Sequence, residues 1–575
     1  MFHTIGLVAY FFLFFNSVLA AVPQTTEAWT TIWQPQELNE ANAYARVIAL
    51  EHAGDQNGKL LATWEHWYTT GPGSTTVADY PAEIIIRESD DGGQSWSTLA
   101  TINETNGVSY SAFWQPALFE FPRPLGNYPE GTLLLVGNLV PADISSTNFF
   151  AWRSQDHGQT WEPVGVWQQG TAGKGIWEPF LFLDNQGRLV ALFSDERDHE
   201  NHSQMVVHVV SEDGGDTWSN VVRDIASPNK DDRPGMATVA RMDNGEYIMS
   251  YEFCGFPNCP TRVKTSSDGV SWDETNLGVQ VSTSDSLYAG ASPYIIWDDS
   301  EKQLVMATRE IWYNEAADQI APEERHAVFT NKDHGNGKWF WSPSPWRVSE
   351  VTANCSSANY SPNLLPIKDG IVLYTAPTSL DTARPCAEAT GEAPVGVLPY
   401  KSDFRANRDA GWLDLEGEWS VMGDQYHFTS DNGGNATTLT GSSGWRDYTV
   451  ETDIRLSAFQ SKAGLAARVT ASSTAPGQWK GYSAVIDSIN GEISLREHGD
   501  SVHVLHSKRP LLGIWEGATY HLTLSVNSND IKVILADHSR QLTTEFTVQS
   551  DTFGQGMAGL VGSDGSSSFE DVRIF

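Results

Sequence analysis

Eight residues recur along the first half of the chain with the same chemistry at each place. Ser89-Asp90-Asp91-Gly92-Gly93-Gln94-Ser95-Trp96 is followed by Ser154-Gln155-Asp156-His157-Gly158-Gln159-Thr160-Trp161, then by Ser211-Glu212-Asp213-Gly214-Gly215-Asp216-Thr217-Trp218. Ser266 to Trp272 is a copy one residue shorter, and Asn331 to Trp339 a degenerate fifth. In each, Asp caps backbone N–H groups, Gly takes a positive φ and Trp plugs the gap to the next unit, which together describe a hairpin turn. A hairpin that returns at near-regular intervals restricts the chain to a repetitive β architecture.

A second pattern alternates with the first. Trp114-Gln115-Pro116, Trp177-Glu178-Pro179, Arg233-Pro234-Gly235, Ser292-Pro293-Tyr294 and Ser361-Pro362-Asn363 each lead into a short apolar run, with prolines 55–69 residues apart. Proline lacks an N–H and holds the residue before it extended, so it suits the first residue of a strand. Strand starts of this kind, each with one variable residue in front, predict a repeat protein whose variable positions line one shared site. Glu178 is the only acid among those positions.

The eight-residue repeats resemble the Asp-boxes of sialidase-like β-propellers. That resemblance implies six four-stranded blades, with the boxes on outer turns away from the active site and carrying no chemistry. First strands are then expected near Arg46, Gln115, Glu178, Arg233, Ser292 and Ser361, Val47 standing where the others have proline. The segment around Trp29 to Trp33 is expected to close the ring by adding a strand to the last blade, which has no box. Asp381 to Pro399, rich in Ala, Pro and Glu, reads as the end of that blade and a connector. From about Lys401 new alternating strands begin, among them 448–456, 464–469, 482–486, 493–497, 520–526 and 531–536. This tail resembles a concanavalin-like jelly roll of the kind appended to secreted glycosidases. The expected organisation is all-β: a secretory signal over 1–20, a six-bladed β-propeller catalytic domain over 21–398, and a carbohydrate-binding β-sandwich (jelly-roll) over 399–575.

Charge and cysteine usage narrow the setting. A formal net charge of −36 and a pI near 4.6 argue against nucleic acid or an anionic membrane as partner, since both want a basic face. Ile5 to Phe15 is apolar and Val18-Leu19-Ala20-Ala21 suits signal cleavage, although no Lys or Arg precedes the run. The run is short for a membrane anchor. Export suits the four cysteines, with Cys254 close enough to Cys259 to bridge a small loop and Cys355 left to pair with Cys386. Zinc is disfavoured because the paired spacing is missing. Glycosylation sequons begin at Asn103, Asn201, Asn354, Asn359 and Asn435. A secreted monomer with no metal and no cofactor is expected.

In a propeller the strand starts ring one pocket. Aligning second strands places Glu65, Asn138, Ser194, Glu252 and Arg309 in one register, and so brings Glu65, Glu252 and Arg309 to the pocket with Arg46, Glu178 and Arg233. Glu178 and Glu252 lie in consecutive units, each after an aromatic, Trp177 or Tyr251. Glycoside hydrolysis asks for such a pair, about 5–5.5 Å apart for retention and roughly 6.5–9.5 Å for inversion. Arg46, Arg233 and Arg309 either bind sugar hydroxyls or orient the glutamates. Trp114, Trp177 and Tyr360 either stack on sugar or pack, with Gln115 and Tyr251 beside them. Glu65 and His66 line the first subsite or hold a loop, and Asp195, Glu196 and Arg197 read as a local ion-pair network. In the tail, Trp445, Trp479, Tyr482 and Trp515 serve either a sugar or the core.

Gly175-Ile176-Trp177-Glu178-Pro179-Phe180, Asp232-Arg233-Pro234-Gly235-Met236 and Ser250-Tyr251-Glu252-Phe253-Cys254 resemble glycoside hydrolase family 93. The likeness covers roughly Trp29 to Thr378. It implies a secreted exo-arabinanase that releases arabinobiose from linear α-1,5-L-arabinan with retention, Glu178 being general acid/base and Glu252 nucleophile. The tail departs from the family's pattern. A sialidase is the rival enzyme, but it needs a tyrosine nucleophile paired with a glutamate, and adjacent Tyr251 and Glu252 point to opposite faces of a strand. The remaining alternatives are another exo-glycosidase on the same acids and a non-catalytic glycan-binding propeller.

Overall fold

The computed structural model describes residues 28–575 apart from 80, 104, 106, 108, 256–257, 315–318, 322, 350, 406–407, 458–459 and 472–477. The expected secretory signal lies outside the described residues. Among these, the structure is all-β, with one 3-10 turn at Gly54–Gln56 and no α-helix.

Up to Pro394 the chain is a series of antiparallel meanders. Their first strands are Glu40–Ala49, Ala112–Glu120, Ile176–Leu183, Arg233–Arg241, Tyr294–Asp298 and Asn363–Lys368. Each pairs with the strand after it, and four of the meanders are separate four-stranded blades. The first two share an eight-stranded sheet, because His66 and Trp67 pair with Phe113 and Ala112. Each first strand lies beside the next, and Asn363–Lys368 lies beside Glu40–Ala49, so the first strands form a closed circle. As expected, Thr30–Trp33 completes the last sheet by pairing with Ala387–Pro394, Thr30 opposite Thr390. That pairing covers the outer edge of Ala387–Pro394.

The second strands explain the tight stacking. Leu133–Val140 is buried along its whole length. Its alternate residues serve two cores: Leu134 and Val136 pack with Leu189 and Ala191, whereas Leu133 and Leu135 pack with Leu61 and Ile84. Period-two alternation thus reads here as a continuous apolar run, since both faces are covered.

The boxes join third to fourth strands, as the propeller resemblance implied. Ser89 Oγ donates to Asp91 Oδ1 at 2.7 Å and accepts from Gly93 N at 2.9 Å, while Asp91 accepts from Ser95 N at 2.9 Å. The same bonds recur at Ser154, Ser211 and Ser266. In the degenerate copy Asn331 Oδ1 replaces serine, accepting from Asp333 N at 2.8 Å and Gly335 N at 3.0 Å.

The expected alignment of first strands needs correction at two places. The shared feature is one residue at positive φ: Tyr44 (58°), Gln115 (54°), Glu178 (53°), Met236 (51°), Ser292 (43°) and Ser361 (51°). In the first four the pairing register jumps there, which marks a bulge. Proline follows in four of the six, but Ala45 and Ala237 follow in the others. Arg46 therefore falls past the shared position and Arg233 before it. Proline does not hold the preceding residue extended here; the bulge puts that residue in the left-handed region, at a cost on the order of 1 kcal/mol for a non-glycine.

From Tyr400 the chain forms one continuous 13-stranded sheet around its own core. Tyr426, Phe428, Trp445, Tyr482 and Phe569 fill that core, so Trp445 and Tyr482 pack, whereas Trp515 is exposed. Leu439, Ala466, Val469 and Met557 of the tail join Ile248, Leu304, Phe329 and Trp341 in a single apolar cluster. Trp341 and Ser443 bond across the same contact, N to Oγ at 3.0 Å and Ser443 N to Trp341 O at 2.9 Å.

Both cysteine pairings are as expected, Cys254 with Cys259 and Cys355 with Cys386. The sequon at Asn359 is not a glycosylation site in this fold. Its side chain is fully buried, donating to Thr308 O at 3.1 Å and accepting from Tyr374 Oη at 2.5 Å.

Candidate active site

The bulges and the second strands interlock around the circle. A polar side chain from one second strand accepts the bulge N–H of the next meander: Glu65 Oε1 from Gln115 at 3.1 Å, Ser194 Oγ from Met236 at 3.2 Å, and Glu252 Oε2 from Ser292 at 2.9 Å. This is the register expected for those positions, and it supplies a physical reason for it. At these three positions the backbone offers an N–H that the ladder does not use, and the neighbour satisfies it.

Glu178 occupies the third bulge. Its N–H donates to Gln115 Oε1 at 3.0 Å, and Gln115 Nε2 donates back to its carboxylate at 3.2 Å. Burial pushes the Glu178 carboxyl up to about 8; the Ser194 hydroxyl opposes that rise, and the charge of Glu252 adds to it. Burial also raises Glu252; the Ser292 N–H opposes that rise, the charge of Glu310 adds to it, and Arg309 and Arg233 oppose it. Glu65 is buried and raised to about 8, chiefly by burial, with Glu178 adding to the rise. Three carboxyl groups therefore face one centre, and their charges are felt from one to the next.

Tyr360 crosses that centre, its hydroxyl 4.0 Å from Met236 Sδ and its ring 6.2 Å from that of Tyr44. Arg309 lies over the Tyr360 ring at 5.2 Å and reaches Ser356 O at 3.4 Å. Arg233 is held by Glu196, by Gln204 Oε1 at 2.7 Å and by Ser203 O at 3.3 Å. Trp177 is partly exposed and lies over Gly175, where a Cβ would meet the indole at 2.3 Å. Trp114 is partly exposed and meets Trp67 edge to face at 5.8 Å.

Four expected pocket residues turn out to be supports. Arg46 is buried and braces the ends of the circle, its Nη atoms donating to Ser361 O at 3.0 Å and Ser361 Oγ at 2.8 Å. Gln115 is buried as the clamp of Glu178. His66 is buried between Glu83 O at 2.8 Å and Glu40 at 3.3 Å. Tyr251 is buried with its hydroxyl on Leu277 O. The last two follow from strand geometry: Glu65 and Glu252 face the centre, so their neighbours in sequence face away. The tyrosine–glutamate pair of a sialidase is therefore not formed by Tyr251 and Glu252. Arg46 and Arg233 are spent on protein partners, so three arginines do not converge with free donors.

Tyr44 and Met236 were missed, because a left-handed φ leaves no mark on the residue type. Glu196 was placed in a local network with Asp195 and Arg197, and Arg197 does pair with Asp195 at 2.7 Å. Glu196 instead turns inward, accepting from Gly175 N at 3.0 Å and pairing with Arg233. Glu252, Cys254 and Cys259 come close enough together to suggest a metal, but both sulfurs are consumed by their disulfide.

A family model for the BNR repeat-like domain matches residues 65–277, a span containing Glu178 and Glu252. No curated protein matches the sequence. Among solved structures, the α-L-arabinofuranosidase Arb93A of Fusarium graminearum with an iminosugar inhibitor aligns at 27% identity and a TM-score of 0.52, over 64% of this chain and 98% of its own. The family 93 α-L-arabinofuranosidase of that fungus with arabinobiose aligns at 28% identity and a TM-score of 0.51, over 63% and 97%. The Penicillium chrysogenum α-L-arabinanase with arabinobiose gives 27%, 0.51, 63% and 97%. The chain is a glycosidase similar to the family 93 enzymes. In this glycosidase the alignments span nearly the whole of each relative and leave about a third of the chain outside them.

Proposed function

We propose that the glycosidase is a secreted, monomeric exo-α-1,5-L-arabinanase that releases arabinobiose with retention. The observation that carries this is the pairing of Glu178 with Glu252: two carboxyl groups from neighbouring meanders, Glu178 in the field of Glu252 and Glu196, and Glu252 with Arg309 and Arg233 to offset Glu310. Environments that push two carboxyl groups apart assign the acid and the base. Glu178, protonated through neutral pH, gives its proton to the glycosidic oxygen as that bond breaks. Ionised Glu252 attacks the anomeric carbon, forming a glycosyl ester. Glu178, now a carboxylate, takes a proton from water, and the hydroxide displaces Glu252. The arabinobiose complexes of the two fungal relatives support the substrate.

The same proposal covers the architecture. The closed circle of first strands supports six blades over 21–398, the eight-stranded sheet counting as two. The curled tail sheet supports a jelly-roll sandwich over 399–575. The apolar N-terminal run supports a signal over 1–20 and export. The test is incubation with debranched arabinan and, separately, with a sialoside. Arabinobiose as product, first appearing in the anomeric form of the substrate linkage and lost in Glu178→Gln and Glu252→Gln variants, is the expected result. Free sialic acid, or no turnover of either glycan, overturns the proposal.

A further inference from the structure

The tail's sheet turns one face into its own core, with Leu465, Ala484, Leu495 and Leu560 pointing there. Part of the other face packs on the propeller through Leu439, Ala466, Val469 and Met557. Beside that contact the outer face hollows into a cleft of about 280 Å³ lined by tail residues alone. Ser483 and Val485, Arg496 and His498, and Val561 and Ser563 are alternate residues on three strands, so the register that fills the core also builds the cleft.

One wall is aromatic and fixed in place. Trp479 stacks on His498 with ring centroids 3.9 Å apart and planes 24° from parallel. Trp479 Nε1 donates to Thr437 Oγ1 at 3.1 Å, and His498 Nε2 and Ser483 Oγ lie 2.8 Å apart. Burial, with Arg496 adding to it, pushes the imidazole down to about 4, which leaves the wall uncharged at neutral pH. Polar groups complete the lining. Arg496 Nε donates to Ser494 Oγ at 3.1 Å, and among the described residues its Nη groups carry no hydrogen bond. Lys462 is neutralised by Asp564 at 2.8 Å, and Glu416 and Asn435 add acceptors. A rigid apolar wall beside hydroxyl, amide and guanidinium groups matches the ring face and hydroxyl edge of a sugar. With one cation paired and an acid present, the lining does not favour an anion.

We propose that this cleft is a second saccharide-binding site, separate from the hub and taking a neutral sugar unit of a polysaccharide. The proposal does not depend on the hub's substrate. The test runs the full chain carrying Glu178→Gln through native gels containing debranched arabinan, arabinoxylan or polygalacturonate, beside the same chain with Trp479→Ala or Arg496→Gln added. Thermal melts identify a variant that fails to fold, and the partly exposed Arg496 gives the result if Trp479→Ala is lost. The expected result is retardation on at least one neutral polysaccharide, weakened by about tenfold in apparent affinity in each folded variant. Retardation that survives both changes belongs to the hub and overturns the proposal, as does no retardation on either neutral polysaccharide or retardation confined to polygalacturonate. Failure of the hub reading shows separately, as absent arabinan turnover by the unmodified chain.

Discussion

Glu178 and Glu252 share one carboxyl chemistry, and their surroundings separate them. Glu178 has Glu252 and Glu196 as charged neighbours; Glu252 has Glu310 but also Arg309 and Arg233. Replacing either by glutamine keeps the shape and removes the proton chemistry, so turnover of arabinan is expected to fall by about 10²–10⁴-fold in Glu178→Gln. That loss should shrink on an aryl arabinobioside whose phenolate needs no proton, whereas Glu252→Gln should stay inactive on both. The pH profile follows from the proton on Glu178. With its carboxyl held at about 8, kcat/KM is expected to decline as pH rises through about 8, and initial rates from pH 4 to 9 would show it. Both acids were legible in the sequence, because an acid before proline and an acid at the second-strand register are visible in residue types. The supports were not. Arg46 and Gln115 become struts only once a bulge turns them toward the neighbouring meander.

At the scale of an element, the bulge matters more than the proline that often follows it. The prolines revealed four of the six positions and misplaced Arg46 and Arg233, because alanine fills the same place at Ala45 and Ala237. The space around a bulge is also closed to change. A Cβ on Gly235 would lie 2.3 Å from Gln204 Nε2 and 3.0 Å from Ser194 Oγ, the two groups beneath Arg233 and the Met236 bulge. Gly235→Ala is expected to lower kcat by roughly 10–100-fold by moving that layer, with the fold retained by circular dichroism. The boxes behave differently. Asp213 accepts from Thr217 N at 2.8 Å and from Ser211 Oγ at 2.8 Å on an outer turn. Asp213→Ala is expected to cost about 1–2 kcal/mol of stability in denaturant titration and to leave arabinan turnover unchanged. The boxes were the most legible elements of all, since their bonds are local and each partner lies within a few residues. In the tail, the strands with clear alternation were readable. The Gln425–Thr440 strand was not, because its many Gly, Ser and Thr residues carry no periodic signal.

Across the whole molecule, tail and propeller share apolar cover. Leu439 is fully buried in the cluster that also holds Ile248 and Trp341. Leu439→Asp would strand a charge there and is expected to cost about 3 kcal/mol or more, with calorimetry showing a lower or split transition. The contact was not legible, because its residues come from distant strands whose patterns only announce burial. Stability should also depend on pH through buried carboxyl groups, two of them at the hub. Glu65 and Glu178 are raised from 4.5 to about 8, and Glu323 to about 7. The folded chain therefore keeps protons that the unfolded chain releases above 4.5, so stability falls as pH rises from there toward 8. Melting temperatures at pH 5 and pH 8 check the sign, the lower value being expected at pH 8.

The seam between Thr30 and Thr390 has a consequence for how the molecule is made. A ribosome delivers one side of that zipper before the intervening meanders and the other only after all of them have emerged. Until then the earliest strand has no partner and the nascent disc stays open, its last sheet lacking an outer margin. Completion is thus deferred to the end of the disc's synthesis, and cutting away Thr30–Trp33 would leave every meander intact yet the circle unlatched.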